Sequence, residues 1–109
     1  MLSKNQMSTI SYEVKMSAYD IINKKGNTSY GIGMCLLKIT NAILNNERNI
    51  LTVSCYDDKF DIYYSMPAIV GEHGIEEKIP LKLSKDAINK LTRSVDALQK
   101  SRNLLCNKF

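Results

Sequence analysis

The sequence predicts an α+β domain: two consecutive helices, a three-stranded antiparallel sheet and a C-terminal helix. Three observations carry this reading. Apolar residues recur at helical spacing in two successive N-terminal segments and again near the C-terminus. Between them lie three short β-branched or alternating stretches separated by turn residues. No strand alternates with a helix as a βαβ unit requires, so no Rossmann unit is expected.

The first helix is expected over about 8–25. Val14, Ala18, Ile21 and Ile22 share a face, Lys24 and Lys25 suit the last turn, and Gly26 suits a stop. The second is expected over about 28–46, capped by Thr28 or Asn27. Ile32, Leu36, Ile39 and Ile43 line one face, and Met34, Leu37, Ala42 and Leu44 widen it, so burial on several sides is expected. Gly31 and Gly33 weaken its first turns by roughly 1 kcal/mol each relative to Ala, which suits a close approach to the backbone.

Strands are expected over about 49–56, 61–70 and 76–83. Asp57-Asp58-Lys59 and Gly71-Glu72-His73-Gly74 form the turns between them. Pro67 within the second strand suits an edge or a bulge. In the third, Ile79, Leu81 and Leu83 alternate with Lys78, Pro80 and Lys82, the pattern of a half-exposed strand. The last helix is expected over about 85–104, with Ser84 as N-cap, Ile88, Leu91, Val95 and Leu98 as its core stripe, and a frayed tail over 106–109.

Bulk properties narrow the function. A length of 109 residues suggests one domain. The net charge of +4 comes from scattered basic residues, whereas nucleic-acid binding needs a concentrated stripe, so no nucleic-acid partner is expected. The N-terminus has no apolar leader core, and no apolar run approaches membrane-spanning length, so no membrane partner is expected. Cys35, Cys55 and Cys106 are odd in number and lack paired spacing. They read as reduced, mostly buried thiols in a cytoplasmic protein, with no metal site.

Few side chains suggest chemistry by pattern alone. His73, the only imidazole, sits in a turn and reads as solvated. Gly31-Ile32-Gly33 lacks the third glycine of a dinucleotide loop, position 36 being Leu. Asp57-Asp58 and Glu76-Glu77 each lie beside a Lys and read as solvated pairs. Thr28-Ser29-Tyr30 places hydroxyls at a helix start beside glycines, suiting either a plain cap or a ligand contact.

Residues 18–33 resemble the lactate/malate dehydrogenase family pattern A-x-x-I-I-x-x-K-G-x-T-x-[YW]-[AG]-I-[AG], here running from Ala18 through Lys25-Gly26, Thr28 and Tyr30 to Gly33. The resemblance continues through Ile39–Leu44. Ile50-Leu-Thr-Val-Ser54 resembles the family's V-L-P-V-S strand. Pro67-Ala-Ile-Val-Gly71 with Gly74-Ile75 resembles P-A-[VI]-[VI]-G-x-x-G-[IV], and Leu91–Leu98 resembles the terminal helix F-x-x-S-A-x-x-L. The hairpin over 54–67 is short, as in L-2-hydroxyisocaproate dehydrogenases, and Thr28 disfavours a malate dehydrogenase.

The resemblance implies the C-terminal, substrate-side part of an NAD-dependent L-lactate/L-2-hydroxy acid dehydrogenase. It implies that Thr28 lines the pocket for the substrate side chain, and that Ile32, one turn later, packs near the nicotinamide and substrate. It also implies that the NAD-binding loop, the two substrate-handling arginines, the catalytic histidine and its aspartate lie outside this chain, leaving no catalytic residue here and no activity for the chain alone. Gly71-Glu72-His73-Gly74 copies the first letters of the family's catalytic G-E-H-G-[DN]-[ST], but Ile75 follows and the order matches the later turn, so His73 receives no catalytic role. The implied partners are a small 2-hydroxy or 2-oxo acid and either a homo-oligomer or a separate N-terminal half. Two alternatives stay open: a non-catalytic module that pairs with such a half or with a full-length paralogue, and an unrelated α+β binding protein.

Overall fold

The computed structural model describes residues 1–108, so the last residue of the expected frayed tail lies outside it. The element order is α1 (Lys4–Lys25), α2 (Ser29–Leu44), β1 (Asn49–Asp57), β2 (Ile62–Gly71), β3 (Gly74–Lys78) and α3 (Lys85–Cys106). The strands form one antiparallel sheet in the order β1-β2-β3. This is the expected α+β arrangement. By contacts the chain divides into two compact units, Met1–Thr40 and Asn41–Phe109.

In the first unit, α1 begins earlier than the apolar spacing predicts because Ser3 and Gln6 form a capping box. The Gln6 amide donates to Ser3 Oγ at 3.2 Å and the Ser3 amide donates to Gln6 Oε1 at 2.8 Å, satisfying two amides left open at the helix start. The helix ends as expected at Gly26. Its φ of 81° is left-handed, and its amide donates to the Ile22 carbonyl at 2.7 Å. A methyl group added at Gly31 would stand 3.1 Å from Ile21 Cδ1, so the glycine lets α1 and α2 approach. Gly33 has open space around it and plays no such part within this chain.

Two expectations fail here. Burial of α2 on several sides does not occur: Ala42 is its only buried residue, and Ile32, Met34, Leu36 and Leu37 are exposed. Helical spacing marks an apolar face without supplying anything to cover it: α1 has no buried residue and α2 only this one. The cysteines are not mostly buried either. Cys55 is, on the inner face of the sheet, whereas Cys35 and Cys106 are exposed on helices.

In the second unit the core is the inner face of the sheet against α3. Burial alternates along β1, with Leu51, Val53 and Cys55 facing inward between exposed neighbours. On β2, Ile62, Ala68 and Val70 are buried, and Val95 is the buried residue of α3. Two hydrogen bonds fix α3 to the turn between β1 and β2: Gln99 Nε2 donates to the Phe60 carbonyl at 2.7 Å, and the Arg102 guanidinium donates to the Asp61 carbonyl. Ser84 caps α3 as expected, its Oγ accepting from the Ala87 amide at 3.2 Å.

Pro67 lies in the central strand, not an edge strand, yet it sits where pairing with β3 runs out. Its carbonyl accepts from the Ile79 amide at 2.9 Å, and β3 ends at Lys78. Its nitrogen faces the same side and has no N–H to return the bond to Ile79, so the ladder ends there. The ladder is also irregular nearby, between Ile69 and Val70. The expected third strand over 76–83 is replaced by β3 over Gly74–Lys78 followed by an extended, unpaired stretch.

Candidate functional site

Thr28 and Ile32 stand one turn apart at the start of α2. The Thr28 carbonyl accepts the Ile32 amide at 3.2 Å, fixing their spacing on one helical face. The capping role falls to Asn27, whose Oδ1 accepts the Ser29 amide at 3.0 Å. The Thr28 hydroxyl makes no hydrogen bond among the described residues, and the side chain is half-buried. Ile32 is 59 % exposed. The pair thus offers a compact hydroxyl and an uncovered branched aliphatic side by side. Next to them, Lys25 Nζ lies 5.3 Å from the centre of the Tyr30 ring, a favourable cation–π distance.

The remaining candidates have structural work or none. His73 is exposed, with Nε2 3.5 Å from Glu72 Oε1. The acidic pairs are not simply solvated. Asp57 accepts the Tyr64 hydroxyl at 2.5 Å and the Lys59 amide at 2.8 Å, closing the turn between β1 and β2. The Tyr64 bond is the main reason its carboxyl titrates below the ordinary value, with the Lys59 and Phe60 amides adding to the shift and partial burial opposing it. The same bond, with burial, pushes Tyr64 up to about 12. Glu76 is largely covered and pairs with Arg48 at 2.8 Å.

Pattern reading missed a groove in the second unit. Its volume is about 820 Å³. One wall is the end of β1 and the middle of β2, and the other is the stretch after β3 with the first turns of α3. Aliphatic side chains dominate the lining, with Asp57, Lys59, Tyr64 and Lys78 at one end. Lys78 Nζ donates to the Tyr56 carbonyl at 2.8 Å there. Thr28 and Ile32 are not among its lining residues. Among the described residues, no helix is long and apolar enough to cross a membrane, and no group of three or more His, Cys, Asp or Glu is placed to hold a metal ion.

The family model described as lactate/malate dehydrogenase, alpha/beta C-terminal domain, matches residues 1–108. L-lactate dehydrogenase 1 of Lactobacillus johnsonii is 44 % identical over 102 residues, covering 90 % of this chain and 32 % of that protein. L-lactate dehydrogenase 2 of Bacillus cereus is 40 % identical over the same length, with the same coverage. Among solved structures, the minor L-lactate dehydrogenase of Enterococcus mundtii is 38 % identical with a TM-score of 0.80, covering 91 % of this chain and 33 % of that one. The malate dehydrogenase of Aeropyrum pernix is 28 % identical with a TM-score of 0.78, covering 91 % and 35 %. The chain belongs to the lactate/malate dehydrogenase family, in its C-terminal domain. It spans about a third of the length of the relatives it matches.

Proposed function

We propose that this chain is the substrate-side portion of an NAD-dependent L-lactate/L-2-hydroxy acid dehydrogenase, which interconverts a 2-hydroxy acid and NAD+ with a 2-oxo acid and NADH. The observation that carries this reading is the Thr28–Ile32 pair at the start of α2, Thr28 half-buried with a free hydroxyl and Ile32 exposed, in a chain of this family. Thr28 presents its unpartnered hydroxyl and methyl group to the side chain of the 2-oxo acid. Ile32 supplies an apolar wall beside the nicotinamide and limits water there.

The residues present fit NAD at one edge only. Ile32 suits the nicotinamide face, while no G-x-G-x-x-G occurs in this sequence to hold the pyrophosphate. When bound, NAD supplies the hydride acceptor; this chain contributes positioning and water exclusion. Proton transfer belongs to residues outside it, and the chain alone is inactive. Unbridged Cys35, Cys55 and Cys106 suit a reducing, cytoplasmic setting.

The open apolar face of α2, with Ile32 and Leu36 exposed, also favours a second reading, in which the chain pairs without catalysis with a separate N-terminal half. A chimera separates the two. This chain replaces the matching third of the Lactobacillus johnsonii L-lactate dehydrogenase 1, and NADH oxidation is followed with pyruvate and with 2-oxoisocaproate. Turnover of either supports the dehydrogenase reading. A folded chimera that binds NADH and turns over neither refutes it.

A further inference from the structure

We propose that the groove in the second unit is a seat for an extended polypeptide segment, contributed by the amino-terminal two-thirds that the family's longer members carry. The inference rests on the dehydrogenase reading only in assigning the occupant to that family's chain.

The groove exists because β3 leaves the sheet early. The Ile79 amide still donates to the Pro67 carbonyl, at 2.9 Å, but β3 pairing ends at Lys78. In an antiparallel ladder alternate residues direct both backbone groups to the same neighbour. Since Pro67 faces the β3 side, Ser65 does too, and there the ladder offers it no partner. Across the gap, among the described residues, the amides of Leu81 and Leu83, which alternation turns to the same side as Ile79, make no backbone hydrogen bond. Two open backbone edges therefore flank one slot.

The slot is apolar as well as open. Leu81 is 57 % exposed, Ile88 49 % and Leu83 38 %, and all three line it. Such a slot matches an extended segment with alternating apolar side chains, whose backbone satisfies the free edges while its side chains fill the groove. Addition from the far side of this stretch is disfavoured: Pro80 alternates with Ile79, so it faces away from β2 and has no N–H to offer. The occupant follows from the relatives. Solved members reproduce this chain over 91 % of its length at a TM-score of 0.80 while being about three times as long, with the chain covering 33 % of them.

The test compares amide hydrogen exchange in the isolated chain and in the chimera described above. Exchange at Ser65, Leu81 and Leu83 is expected to slow about tenfold or more in the chimera. Unchanged exchange at these amides overturns the proposal even if the chimera turns over substrate. Protection without turnover upholds the seat and refutes the dehydrogenase reading. Protection that grows with concentration of the isolated chain identifies a second copy as the occupant and overturns the assignment. In a second measurement, Leu81→Asp with Leu83→Asp is expected to lower the melting temperature of the chimera and leave the isolated chain unmoved. An equal shift in both means the two leucines serve only the chain's own fold and overturns the proposal.

Discussion

Thr28 combines a half-buried position with a hydroxyl that no neighbour engages, and that combination sets its predicted behaviour. In the active chimera, Thr28→Ala should lower kcat/KM by about tenfold, the scale of one lost side-chain contact in a pocket. Ile32→Asn should lower kcat more than it raises KM, because a polar group admits water beside the nicotinamide. Steady-state kinetics with NADH check both. Tyr64 makes a separate prediction about pH. Its bond to Asp57 raises the phenol to about 12, while the unfolded phenol titrates near 10. The bound proton favours the folded state, so this contribution is complete below about pH 10 and is lost as pH rises towards 12. Asp57 works in the opposite direction: its lowered carboxyl stabilises above the unfolded value and is lost as pH falls through the folded one. Tyr64→Phe should remove the alkaline dependence, weaken the acid one and cost about 1 kcal/mol at neutral pH, measured by urea unfolding across pH. The Tyr64–Asp57 bond was not legible in the sequence, because it joins residues that meet only once the turn has closed.

Among the elements, those whose ends are set by local chemistry were legible. Ser84 starts and Gly26 stops a helix where the sequence places them, and Ser84→Ala should cost about 1 kcal/mol, seen as a lower urea midpoint. The S-x-x-Q at Ser3 and Gln6 was equally local and marks the true start of α1, but apolar spacing alone sets that helix later. The third strand shows the opposite limit. Alternation of Ile79, Leu81 and Leu83 satisfies the strand pattern, yet a strand needs a paired edge as well as a pattern, and β2 stops offering one at Pro67. At the far end of the same hairpin, a methyl group on Gly71 would lie 2.7 Å from Asn46 Oδ1 and 2.8 Å from Glu76 Oε1. Asn46 Oδ1 also accepts the Glu72 amide at 3.1 Å. Gly71→Ala should therefore displace this acceptor and destabilise by about 1–3 kcal/mol, with greater exchange at the Glu72 amide as the local signature.

For the molecule as a whole, the order of elements was legible and the burial was not. Helix periodicity identifies an apolar face without saying what covers it, so α2 read as buried while Met34, Leu36 and Leu37 stand exposed. A chain that spans about a third of its relatives leaves such faces for other polypeptide in the proposed enzyme. The most direct test of the central claim is substrate preference in the chimera with and without Thr28→Ala. If Thr28 lines the pocket for the substrate side chain, the ratio of kcat/KM for 2-oxoisocaproate to that for pyruvate should change by at least about threefold, since the two acids differ only in that side chain. A ratio that stays fixed in a fully active variant would contradict the account.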